Sequence, residues 1–473
     1  MKRQVLYLSV VLSFLISPVV ASADEPSRFG RLFPNLPAFT DPTNQQLADL
    51  AQTQLDPNAD ADNNCADPFA IVGCTFAGFT YFGQFIDHDL TLDTSPTPTG
   101  PVDPTTLTNN RTFRFDLDSV YAGGPSVSPQ LYEADRLHFK VQDPNVNGVR
   151  DLPRNPDGSA ILVERRNDEN QILSQIHVAF LKFHNRLIDE NRSFADAQRI
   201  LQHHYQWAVV NDYFPHVLDG DNALDDIIAG RITIPLDRLR LLLNPNMTPV
   251  EFSVAAFRFG HTQVRRAYRL NNLNGSPNFQ VFSFADPLAS LMGGRPLAAD
   301  RQIKWGAFFE ELPDPTGGQR NIGRKIDPLI SQSLFQLPIP GAEAEGSNVL
   351  AFRNMLRAKL YGLPSGQDVA RALGMPVISP AALNLGPGFE RGTPLWYYVL
   401  AESSRLENGQ RIGPVGSRIV AETFYSVLKR DPNSYLNTGV LGLIGRFRPD
   451  PRIAGADGRM TISDIFQFAR VAA

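Results

Sequence analysis

Cysteine is scarce in this sequence: Cys65 and Cys74 are the only two among 473 residues, and they lie close together. Two thiols cannot complete a zinc shell alone, which argues against a zinc site built from cysteine. In an exported protein, such a pair is expected to form a disulfide. We therefore predict a bridge between Cys65 and Cys74.

A basic excess is also absent. Lysine and arginine total 44 residues against 49 of aspartate and glutamate, which gives a formal net charge of -5. This balance argues against a nucleic-acid-binding surface. The sequence has no run of like charges, no low-complexity tail and no solenoid period, so it lacks the usual marks of an interaction arm or a repeat protein.

Long apolar runs are missing after the N-terminus. The chain begins with a basic pair, continues with an apolar stretch interrupted by Pro18, and reaches Ala-Ser-Ala at 21–23. This is the layout of a secretory signal peptide, and the apolar part is short for a membrane-spanning helix. We predict a signal peptide at 1–23 and a secreted domain at 24–473, extracellular or periplasmic, with a loop-rich arm at 24–68. An uncleaved N-terminal anchor is the alternative.

The fold class predicted from the sequence is mainly α. Proline and glycine, 37 and 35 residues, are scattered throughout, which indicates many short helices joined by ordered loops. Residues 171–190 show the helical period of apolar positions. A second helix is predicted to begin with a capping box of Thr248 and Glu251, a third to cover 347–362, and Ser365 can cap a fourth. Strand signals are few and short.

Residues 80–90, TYFGQFIDHDL, combine an apolar run with three consecutive polar side chains, Asp87, His88 and Asp89. Buried charges are costly unless something binds them. In a helix, Gln84, Asp87 and His88 share one face, whereas Asp89 points about 100° away. A His-Asp metal site of a hydrolase and a buried histidine satisfied by neighbouring acids both stay open, although no HExxH motif is present.

Five segments taken together resemble the animal-type haem peroxidases of the peroxidase-cyclooxygenase superfamily, especially their bacterial secreted members. They occur in the family's order and spread over most of the mature chain. The segments are FGQFIDHDL at 82–90, RTFRFDLDSVYAGGP at 111–125, RRNDENQILSQIHVAFLKFHNRL at 165–187, FRFGHT at 257–262 and RNMLRAKLYGLPSGQDVARALG at 353–374. The resemblance implies a multi-helical haem domain with few strands.

The resemblance implies a distal site around His88. His88 would be the acid-base group, Gln84 would hold a distal water or substrate, and Arg166 would stabilise negative charge on the departing oxygen. The family attaches its haem b by ester bonds to an aspartate and a glutamate. By position these are Asp87 and Glu169.

The resemblance also implies a proximal site. His261 matches the histidine that binds the iron, and Asn354 matches the acceptor of its other N–H. Arg258 and Arg357 suit pairing with the haem propionates. The remaining six histidines are predicted to be structural; they are His138, His177, His184, His203, His204 and His216.

A calcium site is the last implied feature. Asp89 would share it with the loop at 111–119, in which Thr112, Asp116 and Asp118 offer side-chain oxygens and Arg114 offers its carbonyl. Calcium would then fix the helix that carries His88.

The match departs from the family in several places. The Gly-Asp pair before the distal arginine is replaced by Val163 and Glu164, so the geometry of this loop is open. Asn170 replaces the methionine of the third, sulfonium haem link, which we therefore predict to be absent. Arg258 stands where fatty-acid oxygenases of the superfamily carry their radical-forming tyrosine.

The sequence therefore predicts a secreted haem peroxidase. It would reduce hydrogen peroxide and oxidise a halide, thiocyanate or a small organic reductant through a ferryl intermediate. A fatty-acid dioxygenase of the same superfamily and a non-catalytic secreted adhesion or binding domain are the alternatives.

Overall fold

The computed structural model describes most of the chain after the first residues. The described ranges are 27–56, 75–95, 99–144, 148–219, 247–272, 278–283, 285–317, 320–337, 348–437, 447–455 and 458–471. The predicted signal peptide and both cysteines of the predicted disulfide, Cys65 and Cys74, lie outside these ranges.

Helices dominate the described residues, which confirms the mainly α prediction. In chain order the α-helices are α1 Asn44–Gln52, α2 Ala77–Leu90, α3 Asp118–Tyr121, α4 Gln171–Asp189, α5 Phe194–Ala208, α6 Phe214–Val217, α7 Gly260–Gln263, α8 Gln332–Phe335, α9 Leu350–Leu360, α10 Gly366–Leu373, α11 Pro380–Leu383, α12 Leu395–Leu406, α13 Pro414–Arg430 and α14 Ile462–Phe468. None of the helices in the described ranges is both long and apolar enough to cross a bilayer.

Strands in the described ranges are short and form two small pairs. β1 Arg28–Gly30 pairs in parallel with β2 Met247–Pro249, and β3 Ala267–Arg269 pairs antiparallel with β4 Asn278–Gln280. The arm predicted to be loop-rich therefore contributes a strand, and it also contains helix α1. Its β1 strand attaches the arm to the segment that leads to the FRFGHT motif.

Helix α2 carries TYFGQFIDHDL and lies in the hydrophobic core against α4. The ring of Phe85 stacks on Phe180, with centroids 4.6 Å apart, and meets Tyr205 of α5 edge-on. The first amides of α2 have no side-chain cap. Instead, Ala77 N donates to Asn321 O and Gly78 N to Phe308 O, which satisfies backbone donors that helix formation leaves open. Core packing and these backbone bonds therefore fix the segment that holds His88.

The predicted helix from Thr248 onward is present but irregular, and its capping box is wrong. Thr248 lies in strand β2, where its hydroxyl bonds Ser27 and Asn109. Glu251 accepts from the backbone amides of the N-terminal arm, Leu32 and Phe33. The following backbone passes from π-helical to 3-10 geometry before α7 begins. The side chains of Thr248 and Glu251, which a capping box would use, therefore bond to distant parts of the chain instead.

Candidate active site

His88 is buried on α2, and its ring is held by a side chain that the sequence interpretation missed. Its Nδ1 lies 2.8 Å from Oδ1 of Asn167. Because an amide oxygen only accepts, Nδ1 carries the proton and Nε2 is left as a bare acceptor. Nε2 has no protein partner among the described residues. Burial and the charge of Arg166 lower the pKa of His88 to about 3, so the ring is neutral at ordinary pH.

Asn167 is itself positioned by His177 of α4. The amide nitrogen of Asn167 lies 3.0 Å from His177 Nδ1, and both residues are buried. His177 thus serves the distal region through a hydrogen bond, as expected for a structural histidine. Asn167 could have been noticed from its place directly after Arg166 in the RRNDEN motif.

Arg166 lies beside the C-terminal end of α2. Its Nε and Nη2 each lie 2.9 Å from an oxygen of Glu164, and Nη2 also approaches the carbonyls of His88 and Thr91. Nη1 is 4.0 Å from Asp87. The structure therefore brings Arg166, Asp87 and His88 together. It also places Glu164 in hydrogen-bond contact with the guanidinium of Arg166, a contact that the sequence did not predict.

Gln84, Asp87 and Glu169 form the polar wall next to Arg166. Gln84 donates to Glu169 and receives a bond of 3.3 Å from Asn170, so Gln84 is occupied by protein groups. Burial raises the pKa of Asp87, and it raises the pKa of Glu169 to about 7. Glu169 nevertheless keeps a large accessible surface. The Glu169 carboxyl therefore stays accessible beside Gln84.

A close backbone approach holds the turn that carries Arg166. Gly293 N donates to Glu169 O, and a Cβ on Gly293 would overlap the carbonyl of Asp168. We expect Gly293→Ala to lower the free energy of unfolding by about 1–3 kcal/mol, because a packed interior cannot absorb the methyl group without a backbone shift. Urea unfolding measures this.

Gly100→Ala is the matched control, since no atom lies within 4 Å of its added Cβ. Its free energy of unfolding should stay within about 0.5 kcal/mol of wild type. If the two variants unfold at the same urea concentration, the backbone contact at Gly293 does not constrain the turn.

His261 begins the proximal side on the short helix α7. Its Nδ1 lies 3.1 Å from Nδ2 of Asn354 on α9, whose Oδ1 lies 3.4 Å from Arg258 Nη1. A metal-binding Nε2 needs the ring proton on Nδ1, and an amide oxygen must accept it. The predicted acceptor role therefore requires the Asn354 amide to be rotated by about 180° from this placement. The structure brings the two residues together, but with the opposite amide orientation.

Arg258 and Arg357 differ in their partners. Arg258 donates from Nε to Ser253 O at 2.8 Å and forms no ion pair within the described ranges. Burial and the neighbouring charge of Arg357 lower the pKa of Arg258 to about 10. Arg357 instead lies 2.9 Å from Asp93. A partly buried cation without a carboxylate partner among the described residues fits an anionic group such as a haem propionate.

The segments that carry His88 and His261 are neighbours. Helices α2 and α7 pack against each other, and the charge of Arg258 opposes the rise in the pKa of Asp87 on α2 that burial causes. Tyr213 also links them, because its ring meets Phe82 of α2 and Phe257 before α7 at centroid distances of 5.9 and 6.4 Å. The candidate acid-base histidine, His88, and the candidate iron ligand, His261, therefore lie on adjacent segments, with acids and arginines around them.

The predicted calcium residues form an acid cluster on the other face of α2. Ligand oxygens of Asp89, Asp116 and Asp118 lie within 4.8 Å of one another. Asp118 Oδ1 is buried without a partner, and Thr112 Oγ1 donates to Asp116 at 2.9 Å. Arg114 lies in the same loop. Three carboxylates held together with an orphaned oxygen fit a hard cation.

A comparison with family models identifies the chain. The model of the animal haem peroxidase family matches residues 94–381, more than half of the sequence. The chain belongs to the animal haem peroxidase family. The matched range contains Arg166, Arg258, His261 and Asn354, whereas His88 lies just before it.

Characterised relatives are distant. Peroxinectin A of Dictyostelium discoideum is 24% identical over 279 residues, which is 56% of this chain and 47% of the relative. Thyroid peroxidase of Mus musculus is 24% identical over 70% of this chain and 39% of its own length. The chain thus spans less than half the length of these relatives.

Solved structures share the fold. Peroxidase A from Dictyostelium discoideum aligns over 95% of this chain and 93% of its own, with a TM-score of 0.65 and 17% identity. A fatty acid alpha-dioxygenase from Oryza sativa aligns over 84% of this chain and 72% of its own, with a TM-score of 0.51 and 13% identity. The peroxidase-like helical fold is confirmed by these matches.

Proposed function

We propose that this protein is a haem peroxidase that reduces hydrogen peroxide and oxidises a second, small substrate. The observation that carries the proposal is the neutral His88, whose Nε2 is bare and whose ring is held beside Arg166. Family membership and the accessible carboxyl of Glu169 near Arg166 support it. When bound, haem b would supply the electrons that cleave the O–O bond.

His88 would move the proton. Its Nε2 accepts a proton from the near oxygen of peroxide and returns it to the far oxygen, which leaves as water. Arg166 stabilises the negative charge that builds on that leaving oxygen, and Glu164 keeps its guanidinium from rotating. Asn167 holds the proton on Nδ1 throughout, so that Nε2 stays available.

The remaining residues would hold the cofactor. His261 would bind the iron through Nε2 with Asn354 accepting from Nδ1, and Arg258 would pair with a propionate. Asp87 and Glu169 are the proposed ester positions, since both carboxyls lie close to Arg166. Arg357 is the second proposed propionate partner, and its Nη2 is paired with Asp93.

The acid cluster on α2 would hold calcium. A ligand that binds the folded state but not the unfolded chain stabilises a protein. We therefore expect chelation to lower the melting temperature and added calcium to raise it. Asp116→Asn should abolish this response, because it removes one carboxylate from the cluster. Thermal unfolding with and without calcium measures the effect.

Asp135→Asn is the control for the calcium test, since Asp135 is exposed and interacts with His138 outside the cluster. It should respond to calcium like wild type. An Asp116→Asn protein that calcium still stabilises to the wild-type extent would remove this cluster from the proposal.

The second substrate is tested by a panel. Haem-loaded protein is mixed with peroxide and, separately, bromide, iodide, thiocyanate or a phenol, and the loss of each reductant is followed. We expect peroxide-dependent oxidation of at least one of them. No Soret band after haem supplementation would favour a non-catalytic binding domain.

The shared fold with fatty acid alpha-dioxygenases makes lipid oxygenation the second candidate. Arg258 argues against it, because a guanidinium cannot supply the phenoxyl radical expected at that position. Oxygen uptake with linoleate and no peroxide distinguishes the two, and rapid uptake would reverse the preference. Export of the chain remains a proposal that rests on the N-terminal sequence.

A further inference from the structure

Glu164 accepts three hydrogen bonds from Arg166, the candidate distal arginine. Its Oε1 accepts from the backbone amide of Arg166 at 3.0 Å and from Nε at 2.9 Å, while Oε2 accepts from Nη2 at 2.9 Å. Glu164 is 1% exposed. A carboxylate that meets a guanidinium in a fork restrains both its position and its plane.

The same carboxylate also binds a second arginine. Arg111 is buried, and its Nε and Nη2 lie 3.1 and 2.5 Å from Oε2 of Glu164. Although burial alone would raise it, the hydrogen bond and charge of Arg166 and the charge of Arg111 lower the pKa of Glu164 to about 2. One carboxylate therefore binds two arginines, so a shift of either arginine changes the hydrogen bonds that Glu164 makes with the other.

Arg111 continues the network to the acid cluster on α2. Its Nη1 lies 3.4 Å from Oδ2 of Asp118, whose Oδ1 has no partner. Charges alternate along the line from Asp118 through Arg111 and Glu164 to Arg166. A cation bound by the cluster would compete with Arg111 for Asp118. Arg111 would then interact with Glu164 alone.

We propose that Glu164 is the positioning residue of Arg166. Arg111 would couple the hydrogen bonds between Glu164 and Arg166 to the binding of a cation by Asp89, Asp116 and Asp118. The inference rests on the proposed peroxidase function for its consequence, but the coupling itself needs no haem. Because coupling is reciprocal, the state of Glu164 must also alter cation affinity. Without its carboxylate, Arg111 turns fully to Asp118 and opposes the cation.

The first test uses the full chain without haem and calcium alone as the ligand. Calorimetry should give a calcium affinity about 5-fold or more weaker for Glu164→Gln than for wild type. Glu402→Gln is the matched control, because Glu402 is also fully buried but contacts Val415 and Gly416 instead of this network. It should bind calcium like wild type.

A double variant keeps the test decisive if Glu164→Gln folds poorly. Arg111→Gln with Glu164→Gln removes both partners of the buried pair, which costs less than removing one. Since the competing cation is gone, its calcium affinity should return toward the wild-type value. Equal affinities in wild type, the single variant and the double variant would overturn the coupling, as would a wild type that binds no calcium.

The second test uses haem-loaded protein and separates positioning from general damage. The rate constant for peroxide should fall about 10- to 100-fold in Glu164→Gln, while the KM for the reductant stays unchanged. Glu164→Asp, which keeps the charge, should lie nearer wild type. A peroxide rate in Glu164→Gln equal to wild type would overturn the positioning role, whereas a wild type without peroxide activity would refute the proposed function and leave the calcium result standing.

Discussion

The His261→Ala protein is expected to show no Soret band after incubation with haemin, because it loses the one candidate iron ligand on α7. His261 has Asn354 3.1 Å from its Nδ1, and no described residue bonds its Nε2. Burial and the charge of Arg258 lower the pKa of His261 to about 3, so the ring is neutral and ready to ligate a metal. Absorption spectra of the reconstituted protein give the readout.

His138→Ala is the control for haem binding. His138 is partly exposed and bonds Asp135 and Asp189 on the surface, so its loss should leave the Soret band unchanged. Near-identical far-ultraviolet circular dichroism of the two variants would show that loss of haem is not loss of fold. A His261→Ala protein with the wild-type band position and intensity would assign the iron ligand elsewhere.

Local patterns predicted the regular helices well. The apolar period at 171–190 corresponds to α4, and Ser365 caps α10 by accepting from Asp368 N. The irregular segment after Thr248 could not be predicted in this way, since Ser27 and Asn109 come from distant parts of the sequence. Local spacing identifies what a residue can do, whereas tertiary contacts decide which partner it takes.

The site shows the same division. Asp87 and His88 were found because charges inside an apolar helix are unusual, and the structure explains Asp89 by its separate place in the acid cluster. The sequence alone assigns Asn167 and Glu164 no role, because the identity of an amide or a carboxylate does not say which neighbour it binds. Their roles depend on His88 and Arg166 meeting them in three dimensions.

The departure at Glu164 illustrates how a substitution can be read only with its neighbours. From the sequence, the Val163-Glu164 pair left the loop geometry open. In the structure, Glu164 reaches both Arg166 and Arg111, so the change adds a defined contact. The spacing from Arg166 to Glu169 keeps both side chains next to α2.

Replacing His88 by alanine should retain haem but slow the reaction with peroxide by about 100- to 10,000-fold, the usual contribution of a positioned acid-base group. Since the pKa of His88 is lowered to about 3, the wild-type rate should stay constant between about pH 5 and 7 and fall only as protonation of Nε2 removes the base near the lowered value. Stopped-flow absorbance at several pH values measures both effects.

Two further variants make the His88 assignment specific. Asn167→Asp would place a negative charge beside the Nδ1–H group of His88, which favours the charged ring. The fall of the peroxide rate at low pH should therefore begin at a higher pH. His203→Ala removes another buried histidine, one that bonds Asn433 O, and should leave the peroxide rate unchanged. If His88→Ala and His203→Ala react with peroxide equally fast, the proton must travel by a route that does not include α2.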